Sequence, residues 1–152
     1  MWEQEEILVE TGNSVFDALI ADKINTARQK GISVETNIVV GRKLHIAESD
    51  WCLLFGSALD NAIEACDRIK HKTKKITVNV KNVGNILNVM IRNTIAEIPV
   101  KEGEFYRSSK LDQCRHGMGL TSIAEVVNRY DGVFRMQVQK DEFVLAFLLC
   151  GV

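Results

Sequence analysis

The sequence has little proline and no patterned cysteine, and each shortage excludes a class of protein. A single proline in 152 residues excludes a collagen-like chain and a proline-rich linker. The four cysteines form no Cys-x-x-Cys pair and have no zinc-finger spacing; they are Cys52, Cys66, Cys114 and Cys150. We therefore expect reduced thiols rather than a disulfide framework or a zinc finger.

Long apolar runs and a strong net charge are also lacking. No apolar run approaches the length that crosses a bilayer, and the first residues, Met-Trp-Glu-Gln-Glu-Glu, have the wrong charge for a signal peptide. The net charge of −1 excludes a general electrostatic attraction to nucleic acid or anionic lipid. Because 46% of the residues are hydrophobic and 26% are charged, we expect a soluble globular domain with no nucleic-acid partner.

Hydrophobic periodicity and turn residues predict the order of the helices and strands. Side-chain oxygens within residues 11–14 are expected to cap the first helix, and Ser49 and Asp50 to cap the second. The pairs Gly84-Asn85 and Lys140-Asp141 each predict a hairpin turn. The predicted elements are helices at about 14–30, 49–69 and 120–130, and strands at about 32–40, 76–80, 87–91, 133–139 and 143–150.

This order differs from the regular strand–helix alternation that builds a doubly wound parallel sheet. It predicts an α/β two-layer sandwich, in which a mixed and mostly antiparallel sheet carries the helices on one face. Residues 1–13 are expected to be the end of an upstream linker or helix, and residues 14–152 to form a single domain.

The second predicted helix has a polar row beside its apolar stripe. Ser57, Asn61, Glu64 and Arg68 are spaced by four, three and four residues, which places them on one helix face. The amide oxygen of Asn61 is a hard, neutral ligand that can complete the shell of Mg²⁺ when phosphates and waters supply the other ligands. The alternative interpretation is an ordinary solvated helix face.

Three further features indicate a ligand pocket. Period-two alternation puts Asn93 on the same face as the apolar residues of its strand, at the strand end. Residues 94–116 lack periodicity, and this length favours either a lid or an ordinary insertion. The run His116-Gly-Met-Gly-Leu120 then leads into a helix, where glycines let backbone N–H groups approach phosphate oxygens. Two glycines alone are a weak signal.

Taken in order, these motifs resemble a known family. The run Leu59-Asp-Asn-Ala-Ile-Glu-Ala65, the segment ending in Ser-Ser-Lys110 and the run His116–Leu120 look like the ATP-binding domain of sensor histidine kinases. They are most similar to the branch that includes peptide-sensing kinases of the Agr type, which are bacterial quorum-sensing receptors. The resemblance covers nearly the whole chain and implies the Bergerat or GHKL sandwich, with ATP held between the helices and a lid at about 94–116.

The resemblance also implies roles for individual residues. Asn61 matches the asparagine that ligates Mg²⁺ between the phosphates, and Ser57 stands one turn earlier, where many relatives have a second asparagine. Asn93 stands where the family often has an aspartate that accepts a hydrogen bond from the adenine amino group. The remaining implied nucleotide residues are Gly117, Gly119 and Leu120 of the glycine box, His116 at the lid exit, and Lys110 of the lid, with Arg107 and Arg115 as weaker candidates.

Two departures separate the chain from the wider family. The sequence Asn93-Thr-Ile-Ala-Glu97 lacks the glycines of the first glycine box, so the Asn93 oxygen can accept the adenine bond but the following turn is less free. Glu64 occupies a position where many relatives have a basic residue, and its carboxylate would repel phosphate unless it is paired. Glu64 is therefore either paired or structural.

The implied function is transfer of the ATP γ-phosphoryl to a histidine on a dimerisation domain, which we do not find in this chain. The implied partners are that phosphoacceptor domain and a response regulator, within a homodimeric parent protein whose cytoplasmic part includes this domain. The parent is expected to be an integral membrane receptor. The alternatives are a GHKL interaction module without kinase activity, and an ATP hydrolase, which Ser57 disfavours because a hydroxyl is a poor general base.

Overall fold

The computed structural model describes residues 11–41, 43–96, 100–102, 105–107 and 113–152, with side chains described in 11–41, 43–96 and 119–152. The helices are α1 (Ser14–Gln29), α2 (Glu48–Asp67) and α3 (Gln113–Arg129). The strands are β1 (Ser33–Val39), β2 (Lys75–Val83), β3 (Ile86–Thr94), β4 (Val100–Glu102), β5 (Phe105–Arg107), β6 (Val133–Gln139) and β7 (Glu142–Cys150). Among the described residues, none of the helices has the length and apolar character that crossing a membrane requires.

The main sheet has the strand order β1-β2-β3-β7-β6. β1 pairs with β2 in parallel, and the other three pairings are antiparallel. Within the described residues, β4 and β5 pair with each other as a separate two-stranded sheet, inside the segment predicted to be a lid. The predicted mixed and mostly antiparallel sheet is confirmed, and β4 and β5 are additional strands that the sequence pattern did not predict.

The hydrophobic core lies between one face of this sheet and the helices. Ile76 and Val78 alternate with exposed or half-buried residues along β2 and are at most 1% exposed. Phe16 of α1 packs on Phe55 of α2 with ring centroids 4.7 Å apart, and Phe55 lies 6.0 Å from Phe147 of β7. These ring contacts join the helix layer to the sheet, because aromatic side chains bury large apolar areas at such distances. The structure is therefore a two-layer sandwich, as predicted.

The start of α1 agrees with its predicted cap. The side chain of Asn13 accepts a hydrogen bond from the Phe16 N–H at 3.1 Å, which satisfies one of the free donors of the first turn. Asp17, one turn into the helix, in turn accepts bonds from the backbone N–H and the hydroxyl of Thr11. Gly31 follows the helix with φ of 75°, a conformation that glycine adopts without strain.

The predicted cap of α2 is wrong. The helix begins at Glu48, its N-cap is Ala47, and no side chain of the cap residue makes a capping bond. Asp50 lies inside the first turn, where the residue is only 7% exposed and its carboxylate binds Arg129 of α3 and the following Tyr130 instead. A local capping pattern cannot anticipate a partner that is eighty residues away along the chain.

Candidate functional site

The predicted site is built where α2 and α3 approach each other. A Cβ atom placed on Gly119 would lie 4.0 Å from the Cβ of Ser57, which is ordinary van der Waals contact. Gly119 therefore brings the backbone of α3 beside Ser57, and the structure joins two residues that are far apart in sequence. A side chain larger than alanine at this position would extend into the space above Ser57.

The side chains of Ser57 and Asn61 lie on this part of α2 and are half-buried. Four residues separate them, so they stand one above the other on the same helix face. Neither side chain has a hydrogen bond within the part of the chain that the structure describes, whereas the adjacent Asp60 binds Lys23 of α1 at 2.6 Å. Asp60 thus faces α1, whereas Ser57 and Asn61 do not pair with α1 in the described structure.

The other two polar residues of this helix face, Glu64 and Arg68, interact with each other. The Nε of Arg68 donates a hydrogen bond to the backbone carbonyl of Glu64 at 3.4 Å. The backbone of Glu64 thus holds Arg68 close to the helix end. The predicted choice between a paired and a structural role for the Glu64 carboxylate stays a prediction.

Asn93 lies at the end of β3 and is 2% exposed. Its Nδ2 donates a hydrogen bond to the carbonyl oxygen of Thr94 at 3.0 Å. A carbonyl oxygen can only accept, so the NH₂ group of the amide must face it and the amide oxygen must face the other way. The amide oxygen of Asn93 thus stays available as a hydrogen-bond acceptor on the side away from the Thr94 carbonyl, and the predicted contact with an amino group stays a prediction.

A buried thiol packs against the same backbone. The Sγ of Cys66 lies 3.7 Å from both the carbonyl oxygen and the Oγ1 of Thr94. Burial raises the pKa of this thiol, and the hydrogen bonds with Thr94 and the backbone only partly oppose that shift. Cys66 therefore remains a protonated thiol at neutral pH and holds the end of β3 against α2.

The run His116–Leu120 lies inside a helix and not, as predicted, just before one. The predicted helix begins near residue 120, but α3 begins at Gln113, so Gly117 and Gly119 lie inside its first turns. Glycine inside a helix costs only about 1 kcal/mol relative to alanine, which the packing of α3 on α2 offsets. The unpaired N–H groups of the helix start therefore belong to residues 113–116 rather than to the turn after them.

The other predicted residues divide between the core and the part of the chain without described side chains. Leu120 is 5% exposed and belongs to the hydrophobic core. His116 and Arg115 lie on the α3 backbone and Arg107 on β5. Their side chains, and the whole of Lys110, lie outside the described residues, so their predicted contacts with a nucleotide stay predictions.

The contact of Asp50 with Arg129 and Tyr130 was not predicted from the sequence. The Asp50 carboxylate accepts hydrogen bonds from the hydroxyl of Tyr130 at 2.5 Å and from Arg129 Nη2 at 2.9 Å. Burial raises the pKa of the Tyr130 hydroxyl, and the bond to Asp50 raises it further. In the sequence Tyr130 has the spacing of an apolar helix residue, and only its phenol oxygen could have indicated a buried partner.

The donor set can be tested against the ligands that the resemblance implies. Among the described residues, no group of three or more His, Cys, Asp or Glu side chains could hold a metal ion. A Mg²⁺ ion beside Asn61 would thus take one amide oxygen from the protein and its other oxygens from phosphates and water, which is common for this ion. The polar atoms of Ser57, Asn61 and Asn93 fit a nucleotide bound together with Mg²⁺.

Several solved structures have the same fold as this chain. The catalytic domain of the histidine kinase ThkA has 15% sequence identity and a TM-score of 0.69, with 93% of each chain covered. Full-length ShkA in complex with AMPPNP gives 10% identity and a TM-score of 0.67, covering 96% of this chain and 33% of that one. ThkA in complex with the response regulator TrrA gives 14% identity and a TM-score of 0.65, covering 94% and 41%.

At these identities the structural matches show the fold, and the family model shows the membership. No curated protein matches the chain in sequence. The family model described as the GHKL domain matches residues 46–150, which include α2, the predicted lid, α3 and the last hairpin. This chain therefore belongs to the GHKL family and has the fold of histidine kinase catalytic domains.

Proposed function

We propose that the chain is the ATP-binding catalytic domain of a two-component sensor histidine kinase, and that it transfers the γ-phosphoryl of ATP to a histidine on a separate dimerisation domain. One observation carries this proposal: Gly119 lies beside Ser57, on the face of α2 where neither Ser57 nor Asn61 has a hydrogen-bond partner among the described residues. Membership of the GHKL family supports it.

Each described residue has a distinct task in this proposal. Asn61 offers a neutral oxygen to the metal, and the Ser57 hydroxyl donates to a phosphate oxygen. Asn93 accepts a hydrogen bond from the adenine amino group through the oxygen that faces away from Thr94. Mg²⁺, when bound, neutralises charge on the phosphates, and Lys110, with Arg107 and Arg115, adds positive charge from the lid.

Catalysis in this arrangement rests on positioning rather than on a nucleophile within the domain. Phosphoryl transfer needs an aligned acceptor and charge stabilisation, and the acceptor histidine would come from the dimerisation domain. His45 and His71 lie in connecting segments, and His116 lies on α3 within the run assigned to the nucleotide. We therefore assign the acceptor histidine to the separate dimerisation domain.

The comparisons support the proposed partners. The ThkA structure with TrrA pairs a kinase of this fold with a response regulator, and the ShkA structure pairs another with the ATP analogue AMPPNP. This chain spans less than half of either of those kinase chains, so we place it as one domain of a longer protein. We further propose that the parent protein is a homodimeric bacterial membrane receptor of the Agr type, with this domain on the cytoplasmic side and quorum sensing as its process.

Titration with ATP in the presence and absence of Mg²⁺ tests the proposal. We expect Mg²⁺ to increase the affinity for ATP, measured by calorimetry. In Asn61→Ala this increase should be about tenfold smaller, because the amide ligand of the metal is removed. Asp60→Ala is the matched control at the neighbouring position of α2, because the Asp60 side chain binds Lys23 instead. This control should keep the Mg²⁺ dependence of the wild-type chain.

Two outcomes would contradict the proposal. Absence of Mg²⁺-dependent binding at millimolar ATP would favour a GHKL interaction module without kinase activity. Equal losses in Asn61→Ala and Asp60→Ala would mean that Asn61 is not the metal ligand. In a longer chain that includes the acceptor helix, transfer of labelled phosphate from ATP to that helix measures the reaction itself.

A further inference from the structure

The Asp50 cluster lies at the end of α3 that is remote from the proposed site. Asp50 is 7% exposed, and its carboxylate accepts hydrogen bonds from both the Tyr130 hydroxyl and the Arg129 guanidinium. A buried carboxylate is stable only when its oxygens are hydrogen-bonded, and here two donors from the C-terminal end of α3 supply those bonds. The first turn of α2 is therefore bonded directly to the end of α3.

Tyr130 also completes the unusual start of α2. Its hydroxyl oxygen accepts a hydrogen bond from the backbone N–H of Ala47 at 3.2 Å, at a cap position that has no side-chain bond of its own. The carbonyl oxygen of Tyr130 accepts a bond from the N–H of Cys150 at 3.0 Å. A single residue thus joins the start of α2, the end of α3 and the last strand.

The two helices meet at two points of different character. At the site, Gly119 lies close enough to Ser57 that an added Cβ would reach van der Waals distance, and the described structure has no hydrogen bond between the two residues. Between the two points, α3 buries Ile123, Val126 and Val127, whose apolar contacts are non-directional. The hydrogen bonds at Asp50 are directional, so they restrict how α3 is rotated and shifted along α2.

We propose that Asp50 and Tyr130 are positioning residues for the nucleotide, because they hold α3 in the register that places Gly119 against Ser57. The proposal rests on the proposed function, since it concerns the same site. Gly119 precedes Tyr130 by eleven residues, or about 16 Å of helix. A small rotation of α3 about its Tyr130 end therefore displaces the backbone at Gly119, where the proposed phosphate site lies.

Tyr130→Phe tests the proposal, because it removes one hydroxyl and keeps the ring. We expect it to weaken binding of ATP with Mg²⁺ by about tenfold, measured by calorimetry, and Asp50→Asn to do the same, because a hydrogen bond to a charged group is lost. Ile24→Val is the control: it removes a buried methyl group from α1 and lowers stability without touching the cluster. Thermal melts of all three variants measure their losses of stability, so that ATP affinities are compared between variants with similar losses.

The register itself is measured without nucleotide by the amide signal of Gly119 in a ¹⁵N–¹H spectrum. We expect this signal to shift in Tyr130→Phe and to stay in place in Ile24→Val. An unshifted signal in Tyr130→Phe, or equal loss of ATP affinity in Ile24→Val at a similar loss of stability, would overturn the positioning role. If the wild-type chain fails to bind ATP, the proposed function fails, and the Gly119 signal still decides whether Tyr130 determines the register.

Discussion

Replacing Gly132 with alanine should destabilise the fold strongly. Gly132 connects α3 to β6, and its N–H donates a hydrogen bond to the carbonyl of Val127 at 2.9 Å. A Cβ atom at this position would lie 1.9 Å from the carbonyl oxygen of Leu148 and 2.9 Å from a methyl group of Val127. The first distance is far shorter than any real contact of this kind, so backbone atoms must move.

The size of the effect follows from which atoms must move. Leu148 lies in β7 and pairs with both Asn88 and Val133, so its carbonyl group cannot retreat without disturbing the middle of the sheet. Overpacking a well-packed interior costs about 1–3 kcal/mol, and we expect the upper end here because the obstacle is backbone. For a domain of this size, that loss lowers the melting temperature by about 6–12 °C.

Thermal unfolding followed by circular dichroism measures this change, and Gly56→Ala is the matched control. Gly56 lies inside α2, and a Cβ there would meet no atom within 4 Å. Alanine is favoured over glycine inside helices by about 1 kcal/mol, so the control should melt at a higher temperature. A Gly132→Ala protein that melts like the wild-type chain would refute the argument from close approach.

Three further predictions concern the core and its buried polar groups. Cys66 should react much more slowly with a maleimide than the half-buried Cys52 and Cys150, because it is buried and its thiol pKa is raised; mass spectrometry of labelled peptides measures the rates. Raised pKa values of Cys66 and Tyr130 mean that the folded chain keeps protons that the unfolded chain releases, so stability should be fully present below about pH 9 and fall as the pH rises from there. Chemical unfolding across pH 7 to 11 tests this, and Tyr130→Phe should reduce the fall. Phe55→Ala should cost about 3–5 kcal/mol in the same measurement, because the ring is fully buried among Phe16, Trp51 and Phe147.

The sequence by itself determined the order of the three helices and of the five strands of the main sheet, and the buried face of several of them. Alternation in β2 and β3 predicted the buried row and placed Asn93 on it, because side chains alternate strictly along a strand. Helical spacing likewise placed Ser57 and Asn61 on one face of α2. These features are local, and a few neighbouring residues are enough to specify them.

The tertiary structure alone decided which distant residues meet. It brought Gly119 to Ser57 and placed the glycines inside α3, because packing between helices outweighs the preference of glycine for a helix end. It also gave Asp50 a partner in Tyr130 rather than a capping role, since a buried carboxylate is governed by the donors around it and not by its neighbours in sequence. Contacts of this kind depend on how α2 and α3 pack together, which no local pattern in the sequence specifies.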